Sequence, residues 1–484
     1  MLSSDLKTVK SSGEILYMQS AGKKNWVIIP VETKVRELTA KVLFAALAVK
    51  RGYHVILGES HAVRDHLSYL PAGIFVDKSM APSRSDAFRT YRHYGNVIVS
   101  WCEEGFVFPD DEDYLRRKVS GDALCQLEMF YAWGKYQADM IGSAYPEYVN
   151  RILPVGNPRI DLLRPSYRKL YRKQVMELKQ TYGRFVLINT NFARCNYIDG
   201  ESAYFKKLKH SGKMTTPDAE SFVRSSLLHK RQIMDGFRSV IPIILDRFPD
   251  IQIVIRPHPS ENHESWADYC ASFPRCHVVH GGSVIPWIMA SEVLIHNGCT
   301  TGVEASLLDH PVIAYRPVVS EKYDMRLPNQ CCYQAFCSDD LIASLSLILK
   351  DNELPPFLLD ASRRAVLDRY LTCSEDELSC EMILDHFAQM SCKPADRNRR
   401  FWYFLRHLHF PAFVKFHTHV NNLLGNRGKK TAYALRKFSQ MDALEVGHIL
   451  EALSRCNEDL RLICVKDITD NIVMMHSQNN TVRS

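Results

Sequence analysis

The sequence predicts an α/β protein of two Rossmann-like halves followed by a mainly helical, basic C-terminal region. From Trp26 to about residue 350, short β-branched apolar runs alternate with longer amphipathic stretches, the pattern of parallel sheets wrapped by helices. A break at Gly156-Asn157-Pro158-Arg159 divides the alternation into two series. Charge marks off the tail: between Lys393 and Lys437 eleven Lys or Arg face one acid, Asp396, so a segment of net +10 follows a remainder of −3.

In the first series the strands are expected at 26–31, 55–57, 74–76, 97–99, 130–133 and 152–155. A helix is expected over 35–51, where Leu38, Val42, Ala45, Ala46 and Val49 share one face. A charged helical stretch to about Lys179 leads to the second series, with strands at 185–188, 251–255, 277–279, 293–295 and 312–315. The expected organisation is an N-terminal extension (1–24), a first Rossmann-like domain (25–165), a second (166–350), a helical crossover (351–392) and the basic aromatic tail (393–484).

At 484 residues, 46% hydrophobic and 24% charged, the composition is that of a folded chain and excludes disorder. The first 25 residues lack a basic start followed by an apolar core, and no apolar run reaches membrane-spanning length, so cytoplasmic residence is expected. Fourteen scattered cysteines, with no C-x-x-C pair or zinc spacing, point to reduced thiols and no structural metal.

Two segments at expected strand ends carry most of the functional signal: Arg256-Pro257-His258-Pro259 and His296-Asn297-Gly298-Cys299-Thr300-Thr301-Gly302-Val303-Glu304. The Gly298 to Thr301 turn opens a helix, whose unpaired N–H groups and dipole suit a phosphate, with the Thr hydroxyls as further donors. Glu304 is placed to accept from ribose hydroxyls. An ordinary capped helix explains the same residues. The prolines around His258 fix its backbone, and its imidazole can donate to a phosphate oxygen.

Softer donor-side candidates are Asn189 and Asn191, after the first strand of the second half, and the loop from His280 to Pro286, which could read a base. His296 suits a buried strand-end histidine. In the first half, Glu103-Glu104-Gly105 ends a strand, where burial can raise a carboxylate's pKa and make it a general base. Lys34 and Arg36 could pair with a sugar carboxylate or an anionic acceptor; a solvated helix start is the alternative. Asp111-Glu112-Asp113 has an acid-x-acid pattern but reads as the acidic start of a helix.

Acid-acid-Gly, His-Pro and a hydroxyl pair before a helix resemble the motif set of bacterial sialyltransferases and polysialyltransferases and of related Kdo transferases. More broadly, Ile29-Pro30-Val31-Glu32-Thr33-Lys34, Gly156-Asn157-Pro158-Arg159 and Thr301-Gly302-Val303-Glu304-Ala305 resemble the bacterial surface carbohydrate biosynthesis proteins. The resemblance covers roughly residues 25–350. It implies a GT-B fold, its two domains facing a cleft, that transfers a Kdo or sialic-acid-like sugar from CMP to a cell-surface glycan or lipid-linked acceptor without metal or cofactor. It also implies that His258 and the hydroxyls hold the CMP phosphate and that Glu103 deprotonates the acceptor; a retaining member would use Glu103 or Glu104 as nucleophile. The family's serine pair is replaced here, by Cys299-Thr300 or Thr300-Thr301; Thr is the better donor, which favours the second.

The aromatic and basic residues from Arg397 to Lys437 suit a helix on an anionic membrane surface or a helical cap on the protein; no RNA-recognition motif accompanies them. Three rival functions fit parts of the pattern: a CDP-glycerol or CDP-ribitol phosphotransferase of the teichoic-acid type, a UDP-sugar 2-epimerase, and an inactive GT-B scaffold.

Overall fold

The computed structural model describes residues 26–68, 70–105, 107–212, 214–373, 377–390 and 438–478. The chain forms two compact units: Met1–Gly105, Leu115–Leu162 and Thr372–Ser484 make up the first, Phe106–Tyr114 and Leu163–Leu371 the second.

The first unit contains β1 (Trp26–Val31), β2 (His54–Glu59), β3 (Ile74–Asp77), β4 (Val97–Trp101), β5 (Met129–Ala132) and β6 (Ile152–Pro154), all paired in parallel. The second contains β7 (Phe185–Asn189), β8 (Gln252–Arg256), β9 (Cys276–Val278), β10 (Val293–His296), β11 (Val312–Tyr315) and β12 (Tyr333–Ala335), also parallel. Every residue of β1, β7, β10 and β11 is buried. That is why they read as unbroken apolar runs: helices cover both faces of such a sheet. The strand order of the second sheet, β9-β8-β7-β10-β11-β12, is that of a dinucleotide-binding fold and reverses direction at the β7/β10 pair. In the first sheet, β2-β1-β3-β4-β5-β6, the reversal lies at β1/β3. Two Rossmann-like sheets of this kind make the fold GT-B-like.

The sequence-based expectation differs at the C-terminal end. Within the stretch expected to be a helical tail, the helix Ala443–Ser454 is followed by two strands, β13 (Ile463–Thr469) and β14 (Ile472–Ser477). They form a hairpin whose turn places Asn471 at φ 62°, a conformation Asn tolerates. Strand β14 pairs antiparallel with β2, so its apolar run, Ile472 to Met475, belongs to the first sheet's interior. The basic aromatic stretch itself, 397–437, lies outside the described residues. No described helix is long and apolar enough to cross a membrane.

The crossover also has a local cause. Asp161, buried, accepts from the backbone N–H groups of Ser379 and Cys380 at 2.9 Å each, capping the helix Ser379–Phe387 on the first unit. Nearby, Thr372 donates to the Trp133 carbonyl at 2.7 Å. The Gly156 motif is the seat for this returning chain: a Cβ on Gly156, whose φ is +86°, would lie 2.4 Å from Ser379 Oγ and 2.5 Å from the Thr372 carbonyl.

Gly156→Ala should therefore destabilise the protein by about 2–3 kcal/mol in urea unfolding, combining left-handed strain with a backbone clash. Gly52→Ala, at φ +90° just after the helix Lys34–Lys50 and with no neighbour within 4 Å, should cost only about 1 kcal/mol. Equal losses would contradict the packing role of Gly156.

Candidate functional site

Ligands of open α/β sheets bind outside the carboxyl ends of the strands where the order reverses. In the second unit these ends are Asn189 of β7 and His296 of β10, which are register partners; Arg256 of β8 is the other partner of Asn189. The three exits are laced together. Asn297 Oδ1 accepts from Asn191 N at 2.9 Å, joining the loop after β10 to the loop after β7. Glu261, fully buried, accepts from Thr190 Oγ1 (2.9 Å), Phe192 N (2.9 Å), His258 N (3.1 Å) and Trp266 Nε1 (3.0 Å), joining the exits of β7 and β8. Burial raises its pKa above the ordinary carboxylate value, against the pull of these hydrogen bonds.

His258 is half-buried, and its Nδ1 accepts from Ser260 N at 3.1 Å. In the neutral ring this leaves the proton on Nε2, the tautomer that can donate to an anion. His296 Nδ1 accepts from Gly298 N at 3.0 Å and from Cys299 N at 3.3 Å, and its Nε2 faces Cys332 Sγ at 3.4 Å. Burial and, after it, the Lys230 charge bring its pKa down to about 3, so this ring is a neutral brace for the turn. Gly302 is required there: a Cβ would sit 2.4 Å from His296 Nε2. Gly298, at φ +79°, makes the turn itself.

The helix Thr300–Leu307 has Cys299 as its N-cap with no side-chain cap bond, and no acid lies in its first turn. Thr301 Oγ1 is buried without a hydrogen-bond partner, with the Cys299 thiol beside it. Both amide atoms of Asn189 are buried without partners too. Glu304 is buried on the same helix. The structure thus brings together Asn189, Asn191, Asn297, Gly298, Thr300 and Thr301, with His258 tied in through Glu261.

Other donor-side candidates have structural duties. Arg256 donates to the carbonyls of Gly281 (2.7 Å) and Gly282 (3.1 Å) and stacks on Trp287 at 4.8 Å; burial lowers its pKa to about 10. Pro286 is buried in the short helix Ile285–Ala290 and packs as core, whereas Pro259 is exposed. His280 is exposed and lies 4.7 Å from the His263 ring.

In the first unit the acidic motif is embedded in a charge network. Glu37 accepts from the backbone N–H groups of Glu32 (2.9 Å) and Thr33 (3.0 Å) at the start of the helix Lys34–Lys50. Lys41, one turn on and equally buried, donates to Glu37 (2.9 Å) and to the Pro30 carbonyl (2.7 Å), and pairs with Glu103 (3.1 Å). Trp101 Nε1 also donates to Glu103, at 2.8 Å. Burial opposes charging this pair, but their mutual attraction, helped by Arg36 and Glu103, holds Glu37 below and Lys41 above their ordinary pKa values.

Glu103, expected as the general base, is engaged by Lys41 and Trp101, and Glu104 beside it by two cations. Desolvation pushes the Glu104 pKa up, but Lys118 and Arg36, each 3.1 Å from it, outweigh that and hold it well below the carboxylate range. Gly105 is fixed by packing: a Cβ would lie 2.2 Å from the Trp133 indole. Neither cation expected to meet a sugar carboxylate is unengaged. Arg36 pairs with Glu104 and Glu37, and Lys34 binds Ser439 Oγ (3.0 Å), the Gln440 carbonyl (2.5 Å) and Glu445 (2.7 Å). Asp111, Glu112 and Asp113 form the acidic first turn of the helix Asp111–Lys118. Among the described residues no cluster of three His, Cys, Asp or Glu could hold a metal ion, and the thirteen described cysteines are free thiols.

Sequence reasoning passed over Glu261, Glu37, Lys41 and Lys230. Each carried a signal: a charged side chain inside an otherwise apolar helix face, or, for Glu261, its place three residues after His258.

No family model and no curated protein matches this sequence. Among solved structures, the chain is similar to the wall teichoic acid polymerase TagF soaked with CDPG, at 11% identity and TM-score 0.49 over 80% of this chain and 94% of that one. It is also similar to a putative UDP-N-acetylglucosamine 2-epimerase from Listeria monocytogenes, at 12% and 0.49 over 77% and 99%. A UDP-GlcNAc 2-epimerase from Neisseria meningitidis bound to UDP-GlcNAc aligns at 12% and 0.47 over 76% and 100%. The fold assignment itself stands on the strand orders.

Lys41→Met takes from the buried Glu37 and Glu103 the cation they share and should cost about 3–5 kcal/mol in denaturant unfolding. Because the folded pKa of Glu37 is depressed, its contribution is present above the ordinary carboxylate value and fades as pH falls through the folded one. The variant should accordingly lose much of the wild type's stability gain between acid and neutral pH; an unchanged acid limb would remove Lys41 from this role.

Proposed function

We propose that the chain is a GT-B transferase that takes a group from a nucleotide-linked donor and passes it to a glycan or glycolipid acceptor. The nucleotide would lie at the carboxyl ends of β7 and β10. The observation that carries this reading is the group of buried, unpartnered polar atoms at that strand reversal, both amide atoms of Asn189 and the hydroxyl of Thr301. Buried polar groups without partners are rare, and in a binding site the ligand supplies the partner.

In this reading a phosphate rests on the N–H groups of the Thr300–Leu307 helix start and on Thr301, His258 Nε2 donates to it, and Glu304 accepts from the ribose. Transfer would need no metal, since helix start and imidazole stabilise the charge that develops on the leaving phosphate. Glu104, held ionised, suits a nucleophile or charge stabiliser for the acceptor step better than a general base, whose pKa should lie nearer the working pH. Glu103 would then position it through a chain of ion pairs, Glu103 to Lys41, Lys41 to Glu37, Glu37 to Arg36 and Arg36 to Glu104.

For the transferred group, a CMP-linked Kdo or sialic-acid-like sugar would need a cation for its carboxylate, and Lys34 and Arg36 are both engaged inside the first unit. That favours the second reading, a CDP-linked polyol phosphotransferase. Attachment of the basic segment to an anionic membrane surface remains a further part of the proposal.

Incubation of CMP-Kdo, CMP-sialic acid, CDP-glycerol and UDP-N-acetylglucosamine, each with glycan and glycolipid acceptors, should release nucleotide from at least one donor. His258→Ala should lower that rate about hundredfold or more without lowering the melting temperature. The absence of both release and binding for every cytidine and uridine nucleotide would sink the reading.

A further inference from the structure

The helix Pro217–Arg247 carries a lysine where its buried face is otherwise largely apolar. Lys230 is 3% exposed and lies on the same face as Leu227, Ile233, Met234 and Phe237. Its ammonium makes one long hydrogen bond, 3.5 Å to the Asn297 carbonyl at the β10 exit, and forms no ion pair among the described residues. Burial, reinforced by Arg194, lowers its pKa to about 8, against weak opposing pulls from Asp324, Cys195 and Cys299. Asp324 is already held by His229 at 2.8 Å and Arg316 at 2.7 Å.

Arg194 follows β7, and its Nη1 donates to Ser226 Oγ at 2.9 Å. Ser226 precedes Lys230 by one turn, so the two cations are anchored roughly 6 Å apart on one helix. Both belong to the unit whose strand exits carry the unpartnered Asn189 amide and Thr301 hydroxyl. A buried ammonium without an anion is costly, and its retention at a strand exit marks a place where a ligand completes the charge.

We propose that Lys230 and Arg194 form a diphosphate subsite, so that the donor is a nucleoside diphosphate derivative and not a CMP-linked sugar with its single phosphate. This rests on the reading that the β7 and β10 exits hold a nucleotide. The helix start takes one phosphate, and the charge of Lys230 and Arg194 answers the second. Two fixed cations match the two charges of a pyrophosphate diester, whereas a CMP-sugar carries one charge at its phosphate.

Titration calorimetry on the full chain with CMP, CDP, UMP, UDP and inorganic pyrophosphate tests this. The preferred nucleoside diphosphate should bind at least about tenfold more tightly than its monophosphate, and pyrophosphate should compete with it. Lys230→Met should erase that margin while leaving monophosphate affinity within about twofold, and Lys230→Arg should restore most of it. The ligand-free Lys230→Met protein should melt at the same temperature as wild type or higher, because a buried unpaired charge has been replaced by an apolar chain of similar length. A margin unchanged in Lys230→Met, or equal loss for mono- and diphosphates, overturns the subsite. Monophosphate binding with no margin in the wild type overturns the subsite alone, and absence of all nucleotide binding overturns it together with the proposed function.

Discussion

A carboxylate shut away from water holds the second unit's strand exits in place. Removing Glu261 from solvent costs several kcal/mol unless hydrogen bonds answer it, and the groups that answer come from three places: the loop after β7, the loop after β8 and the helix that follows. None of these can shift without exposing the deficit of the others. The orientation of His258 follows, because its own N–H is one of the donors. The position of Asn191 follows as well, since Thr190 and Phe192 on either side of it are both bound to Glu261, and Asn297 then ties the β10 exit to this fixed segment.

The first unit solves the same problem with Glu37, which gathers the β1 exit onto the start of its helix. The two units then diverge in what they leave unmet. At the β1/β3 reversal the acids are paired, Glu32 with Lys78 and Asp77 with Arg84, and the unmet atom is Arg36 Nε. At the β7/β10 reversal the matching is incomplete, with an amide, a hydroxyl and an ammonium short of partners. The unmet atoms of the second sheet are the ones that gather at its strand reversal, which is why the proposed nucleotide site is drawn there.

Much of the fold was legible because buried parallel strands are apolar on both faces. The runs at 26–31 and 312–315 coincide with β1 and β11, and most others fall within a residue or two of the observed strands. Strand β12, Tyr333–Ala335, has only one fully buried residue and a glutamine at its centre, so no apolar run announced it. The hairpin of β13 and β14 was hidden because its partner, β2, lies some four hundred residues earlier, and nothing local records that pairing. At the sites, residue identity was more legible than role. Lys34, Arg36 and Arg256 were recognisable as cations at strand exits, but whether a cation meets a ligand or an internal partner depends on what the remote chain brings: Glu104 to Arg36, Gln440 and Glu445 to Lys34, and Gly281 to Arg256.

The pairing of β14 with β2 has a consequence for how the chain comes to be folded. The second unit is nearly contiguous, and a ribosome that has delivered residue 371 has delivered all of it. The first unit is begun earlier and finished later. Its helix Ser379–Phe387 and its outer hairpin emerge last, and until they do, the β2 edge presents unpaired N–H and C=O groups and an apolar face to the surroundings. Synthesis thus imposes a waiting period on the older half of the molecule, in which chaperone capture or edge-to-edge association between nascent chains competes with completion.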